Sequence, residues 1–254
     1  MAEVRMDRLT WVEYQARLAA QPPVFLPCGA LEQHGPHLPL GVDALLATRV
    51  AEDVAAAVGG LVAPTQCFGY KSQGRCGGGE TFPGTTSLDG AHFTAVVADV
   101  LRELIRHGQR RLVLCDGHYE NQWFLVEAAE LAAREARATG VRIMRAEYWD
   151  YCAPAVLDAV FPAGFPGFAL EHAAVIETSL MLHYAPELVR LERLPDDGPA
   201  HFRVADVYPQ DGHGVPTSGV LSSARGASAA HGARLAASIT ERFAAEVREI
   251  FALG

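Results

Sequence analysis

Lysine and asparagine are almost absent from the chain: Lys71 is the one lysine among 21 basic residues, and Asn121 is the single asparagine. Together with abundant Ala, Gly and Arg, this is the bias of a GC-rich genome. The two residues that escape it both fall in loops beside candidate site residues. Cysteine is scarce too. Cys28, Cys67, Cys76, Cys115 and Cys152 are odd in number, widely spaced and form no C-x-x-C pair. That excludes a disulfide framework and an all-cysteine zinc site, and it fits reduced thiols packed as small apolar residues in a cytoplasmic protein. Basic charge is in deficit, since 30 acidic residues against 21 basic ones leave a net charge of −9. A nucleic-acid partner wants a basic face and is excluded; a small neutral or cationic substrate fits better. No run of 18 apolar residues occurs, so no membrane span is expected. Residues 1–15 carry acids among few apolar side chains and lack the apolar centre of a signal peptide.

What is present suits an α/β protein. Half of the 254 residues are apolar and a fifth are charged, ample for a large core. Residues 23–28 (PVFLPC), 61–64 (LVAP), 111–115 (RLVLC) and 141–146 (VRIMRA) are short apolar runs whose length and β-branched content favour strands. Helical patterns over 43–58, 89–107, 121–139 and 228–251 lie between and after them. Alternating strand and helix predicts a mainly parallel β-sheet with helices on both faces. Two long irregular stretches, 65–87 and 195–223, interrupt the pattern. The first contains Gly77-Gly78-Gly79 and the aromatic residues Phe68, Tyr70 and Phe82, and is expected to form a site loop. With no repeat, low-complexity tract or linker, residues 1–254 are read as a single domain.

The chemistry concentrates in two short segments. Glu32-Gln33-His34 and His118-Tyr119-Glu120 each set an acid and an imidazole two residues apart, and Asp43 follows Glu32 by 11 residues. Three carboxylates and two imidazoles are the ligand set that a pair of divalent metals needs, with one carboxylate bridging. Asp43, after Gly41-Val42 and before a helix, is the candidate bridge, able to cap the helix and still project into the site. Each metal then takes one more carboxylate and one imidazole, and the water between them yields a hydroxide nucleophile at pH 7. Glu32 and His34 come four and six residues after the first strand, and His118 and Glu120 come three and five after the third. Ligands of parallel sheets sit beyond the carboxyl ends of the strands, so both segments are placed on one sheet edge. Metal-dependent hydrolysis is the indicated reaction class.

Cleaving an amide also requires a proton for the leaving nitrogen. His172 is the candidate carrier, since Glu171 precedes it and Glu177 follows five residues later, and neighbouring acids orient an imidazole and keep it protonated. The same three residues could instead form a polar cluster at a helix start. Trp149, after the fourth strand, and Phe168, four residues before His172, offer flat side chains to a small planar ligand.

These residues resemble a known family. Gly29-Ala30-Leu31-Glu32-Gln33-His34-Gly35, Asp43 and Asp116-Gly117-His118-Tyr119-Glu120-Asn121 are similar to the motifs of the creatininase (creatinine amidohydrolase) family. So are Gly69-Tyr70-Lys71-Ser72-Gln73, residues 82–90 (FPGTTSLDG), Tyr148-Trp149-Asp150 and the stretch from Glu171-His172 through Glu177 to Leu182. The likeness spans nearly the whole chain. Much of the wider family has Gly-Gly where this chain has Tyr119-Glu120, which points to the creatininase branch. The resemblance implies a creatininase-like α/β fold, a homohexamer and two divalent ions, Zn2+ or Mn2+. It implies that Glu32, Asp43 and His118 hold one ion, and that His34, Asp43 and Glu120 hold the other. It implies opening of creatinine to creatine, with His172 passing the proton, Glu120, Glu171 and Glu177 in the catalytic group, and Trp149, Phe168, Tyr119 and Ser72 at the substrate. Two positions depart from the family pattern. Asp116 replaces an asparagine, and Phe168 stands where creatininase has a second, lid-forming tryptophan. Phe168 motivates an alternative substrate, another small lactam, a formamide or a peptide amide. Asp116 motivates a catalytically silent metal-binding protein.

Overall fold

The apolar runs become strands that all point the same way. In the computed structural model, which describes residues 3–73 and 79–253, β1 (Val24–Cys28), β2 (Leu61–Val62), β3 (Arg111–Asp116) and β4 (Arg142–Glu147) form a parallel sheet in the order β2-β1-β3-β4. Cys76, Gly77 and Gly78 lie outside the described residues. Seven α-helices are described: α1 (Trp11–Leu18), α2 (Val42–Val58), α3 (Gly90–Arg106), α4 (Gln122–Glu135), α5 (Pro154–Val160), α6 (Val175–Tyr184) and α7 (Ala229–Phe251). None is long and apolar enough to cross a membrane.

Strand alternation divides the core into two layers. Phe25, Val113, Cys115, Met144 and Ala146 pack with α2, α6 and α7, whereas Val24, Leu26, Cys28, Leu112 and Leu114 pack with α3 and α4. Both faces of the sheet are therefore dry, which is why its strands read as continuous apolar runs. Sequence patterning missed α1 and α5, and it marked α6 only by a possible helix start at Glu171–Glu177, without bounds. α1 buries no residue and rests on a capping box between Thr10 and Glu13. α6 is apolar nearly all round, with Val175, Ile176, Thr178, Ser179, Leu180 and Met181 buried, so it carries no one-sided stripe to recognise.

The register places Cys28 beside Asp116, and Asp116 beside Glu147. The chain segments leaving β1 and β3 thus emerge side by side, and α2 starts across both exits. A Cβ on Gly29 would lie 2.3 Å from the Ala44 backbone nitrogen, and one on Gly117 would lie 2.6 Å from the Asp43 carbonyl oxygen. Glycine at both strand exits is the condition for bringing Asp43 between them. Gly29→Ala and Gly117→Ala should each cost about 1–3 kcal/mol of stability in denaturant melts, the usual toll of overpacking. Gly198→Ala, where a Cβ meets nothing within 4 Å, should stay within about 0.5 kcal/mol of the parent.

Candidate metal centre and active site

The two strand exits and the first turn of α2 converge on a buried cluster of charge. Glu32, His34, Asp43 and His118 are each at most 4% exposed. The cap position of α2 is Gly41, with no side-chain cap, and Asp43 lies inside the first turn. The expectation that Asp43 caps the helix is corrected: its carboxylate is turned wholly to the site. Asp43 Oδ1 lies 2.9 Å from His34 Nε2, and Oδ2 lies 3.1 Å from His118 Nδ1. One carboxylate thus faces two imidazoles, one through each oxygen. Glu32 Oε2 is 3.2 Å from the same His118 Nδ1.

The far side of each ring is tied to a backbone carbonyl. His34 Nδ1 is 3.1 Å from the Glu32 oxygen, and His118 Nε2 is 3.0 Å from the Tyr70 oxygen. Donation to those carbonyls leaves the lone pair of each neutral ring on the nitrogen that faces Asp43. Glu32 Oε1, His34 Nε2 and Asp43 Oδ2 are buried without an aligned hydrogen-bond partner. Donor atoms that crowd together yet fail to bond one another, in an oxygen and nitrogen set, are what a divalent cation requires. The residues present fit a metal pair.

Among the described residues the fold gathers three groups of donors, each within 4.8 Å: Glu32 with Asp43 and His118, His34 with Asp43 and Glu177, and Glu32 with His34 and His172. The first matches the expected set. In the second, Glu177 stands where Glu120 was expected, 3.6 Å from His34 Nε2. Glu120 follows His118 on a tight turn, so it lies on the Nε2 side of that ring at 3.5 Å, and Glu120 Oε1 accepts the Gln73 N–H at 2.8 Å.

His172 joins the cluster from a different part of the chain. Its ring lies against that of His34, with centroids 4.3 Å apart, and its Nδ1 is 3.9 Å from Glu32 Oε2. Its orientation comes from Gln33 and not from Glu171, which corrects the expected role of that acid. His172 Nε2 lies 2.8 Å from the Gln33 carbonyl oxygen, and the Gln33 side chain is fixed by the Gly35 N–H and the Gly219 carbonyl, each at 2.9 Å. Glu171 Oε2 accepts the Ile176 N–H at 2.8 Å and Glu177 Oε2 accepts the Ala173 N–H at 2.6 Å, so both acids also serve the start of α6. The polar-cluster reading therefore holds for Glu171, whose carboxyl burial pushes up to about 8.

A cavity of about 510 Å³, its mouth included, opens above these groups, with Tyr119, Trp149 and Phe168 on its walls. Ser72 is not on those walls. It is buried, and its hydroxyl accepts the Gly79 N–H at 3.0 Å, tying Ser72 to Gly79; its expected place at the substrate is corrected. That loop does belong to the site, because Gly79 packs so closely on Glu32 that a Cβ would sit 2.5 Å from Oε1. Lys71 pairs with Asp89 at the start of α3 and is not among the cavity's side chains. Gln33, the Tyr70 carbonyl and Gly219 went unnoticed in the sequence. Gln33 alone left a signal, its place between the acid and the imidazole of the first motif.

A cluster of buried carboxylates gathered around imidazoles and opening into one cavity defines the class of metal-dependent hydrolases. The family profile for creatininase (creatinine amidohydrolase) matches residues 7–247, and the chain belongs to that family. It is 49% identical to the creatinine amidohydrolase of Pseudomonas putida over 98% of this chain and 97% of that one. Solved creatininase structures superpose closely. A Zn–Zn type variant has a TM-score of 0.95 at 48% identity, covering 99% of both chains. A manganese creatininase has a TM-score of 0.95 at 48% identity over 98% of this chain and 99% of that one. A variant complexed with creatine has a TM-score of 0.94 at 47% identity, with the same coverage.

Protons balance this cluster in the metal-free protein. Burial alone would push His34 and His118 down, but Asp43 and Glu177 around the first, and Glu120 and Glu32 around the second, raise both well above the ordinary imidazole value. Groups raised in this way hold their protons near neutrality and must release them to a cation. Zinc affinity should therefore fall with decreasing pH, by about tenfold per unit for each proton displaced. Zinc titration calorimetry in buffers of different ionisation enthalpy should register protons released near neutrality; pH-independent affinity without proton release contradicts the assignment.

Proposed function

We propose that the chain is a metal-dependent amidohydrolase that opens the cyclic amide of creatinine to creatine, reversibly. The observation that carries the reading is the Asp43 carboxylate, shared between His34 and His118 beneath a cavity that also holds His172. The P. putida creatinine amidohydrolase and the creatine complex of a creatininase support the choice of substrate. The zinc and manganese forms support Zn2+ or Mn2+ as the ion pair.

In this reading Glu32, Asp43 and His118 hold one ion, and His34 and Asp43 hold the other with a further carboxylate. Glu177 stands nearest that third position, and Glu120 reaches the same cavity from the side of His118. When bound, the ions supply Lewis acidity for the ring carbonyl and bring the pKa of water toward neutrality. The chain supplies the rest. Tyr119 and Trp149 face one another at 23° with centroids 6.4 Å apart, somewhat less than the roughly 7 Å that two contacts of about 3.5 Å need, so a flat ring entering between them has to part them slightly. Phe168 closes one side, braced edge-on by Phe165 at 4.8 Å. His172, held by the Gln33 carbonyl, carries a proton to the ring nitrogen as the amide C–N bond breaks and recovers it for the reverse reaction.

By the same reading, residues 1–254 act as one domain, and the enzyme is a cytoplasmic homohexamer. Support for the hexamer is the family resemblance. Exposed Trp11 and Trp123, 75% and 72% accessible in the single chain, are candidate contacts between copies. Light scattering should give six times the 27.3 kDa chain mass.

Purified protein loaded with zinc or manganese should convert creatinine to creatine, and chelation should abolish the conversion. No turnover with two ions bound would overturn the reading. His172→Ala should lower kcat by about 10²–10⁴-fold, the range for a lost acid–base group, with metal content unchanged. Glu120→Gln and Glu177→Gln decide the third ligand, because the variant that loses one zinc per chain in metal analysis marks it. Phe168→Trp should lower KM for creatinine if Phe168 limits substrate coverage; an unchanged KM removes Phe168 as a source of specificity.

A further inference from the structure

We infer that Asn121 is a positioning residue for His118, holding its imidazole and its backbone from opposite ends. The inference rests on the metal-centre reading above. Asn121 is fully buried and has no place in the chemistry so far, yet it uses one acceptor and two donor hydrogens. Asn121 Oδ1 accepts the Tyr70 N–H at 2.8 Å, and the carbonyl of that same Tyr70 residue lies 3.0 Å from His118 Nε2. Asn121 Nδ2 donates to Asp116 Oδ1 at 3.3 Å, and that oxygen also accepts the His118 backbone N–H at 3.2 Å. The second amide hydrogen reaches the Gly29 carbonyl at 3.2 Å, at the exit of β1. One side chain therefore joins the β1 exit, the 65–87 loop and the β3 exit.

This pattern explains the residue type. Aspartate cannot donate to Gly29 and Asp116, serine is too short to span the three, and a longer amide would overfill the space against Gly69. A Cβ on Gly69 would lie 2.8 Å from Asn121 Oδ1 and 2.6 Å from the Gly29 oxygen, so the Tyr70 segment is pressed onto the asparagine. With Tyr70 held, its carbonyl keeps the hydrogen of His118 on Nε2 and the lone pair on Nδ1, toward Glu32 and Asp43. Partners behind a metal-binding imidazole characteristically set its affinity for the ion.

The test breaks the link from both sides, with Asn121→Ala and Gly69→Ala, and uses Val97→Ala on α3 as a core truncation that leaves the link intact. Two quantities are read on zinc-loaded protein: stepwise zinc affinity by chelator competition, and solvent exchange of the His118 Nε2–H proton by NMR. Asn121→Ala and Gly69→Ala should weaken one zinc step by about 10–100-fold, the range for loss of an outer partner of a ligand. Both should speed exchange of the His118 ring proton. Val97→Ala should lower the melting temperature and leave both readouts at parent values. Folded Asn121→Ala with parent zinc affinity and parent ring-proton exchange overturns the inference. If Asn121→Ala does not fold, Gly69→Ala alone decides by the same criterion. Failure of the parent chain to bind zinc at all would instead refute the metal-centre reading, so the two failures are separable.

Discussion

The Asp43 carboxylate faces His34 through one oxygen and His118 through the other, and the surrounding fold is built to hold it there. Two imidazoles and two carboxylates are buried together there, and burying charge is expensive unless each charge meets its opposite. Burial would raise Glu32 and Asp43, but the imidazoles around them hold both carboxyls below their ordinary range, His172 and His118 acting on Glu32 and chiefly His34 and His118 on Asp43. Balance of this kind tolerates little displacement, so the fold is arranged around it. Glycines stand where α2 crosses the strand exits, backbone carbonyls receive the outer hydrogen of each ring, and the 65–87 loop closes over Glu32 through Gly79.

The same contact explains why a parallel sheet suits this chemistry. Parallel pairing brings the ends of β1 and β3 out on one edge in register, with Cys28 beside Asp116. The E-x-H and H-x-E segments that follow then need only one acid from the next helix to become a single cluster. His172 is added from the segment before α6, and its ring lies against His34 with its Nε2 against the Gln33 carbonyl. The proton carrier and the ligands are thus fixed through neighbouring residues of one motif, Gln33 and His34. A displacement of that motif would disturb binding and proton transfer together.

Much of this was legible in the sequence. All four strands and the helices α2, α3, α4 and α7 lie where apolar runs and 3.6-residue periodicity placed them, because a buried parallel strand and a one-sided helix both leave strong patterns. Glu32, His34 and His118 stand out by their spacing from strand ends, and Asp43 by its place before a helix 11 residues after Glu32. The misses have physical causes. α6 has no polar face to mark it, and α1 packs only through half-buried Tyr14, Arg17 and Leu18, with no fully buried residue. Adjacency in sequence suggests that Glu171 orients His172, but adjacent residues diverge at a helix start, and the acid accepts the Ile176 N–H instead. The family resemblance places Ser72 at the substrate, whereas its hydroxyl is taken up by the Gly79 N–H. The roles of Gln33, Gly219 and the Tyr70 carbonyl run through backbone groups, which every residue carries and no motif reveals. Lys71 and Asn121 looked alike as compositional exceptions. The first is an exposed partner of Asp89, and the second is the buried joint of three segments.

One carboxylate, Asp43, joins two metal sites into one hydrolytic centre. Asp43→Asn tests it most directly, because it keeps the side chain's shape and removes its charge and one strong acceptor oxygen. Zinc content per chain, measured on folded parent and variant alongside creatine formation from creatinine, is the deciding quantity. Two ions and turnover in the parent, with at most one ion and no turnover in Asp43→Asn, is the predicted result. An Asp43→Asn protein that keeps two ions and the parent's rate would show that Asp43 does not join the sites.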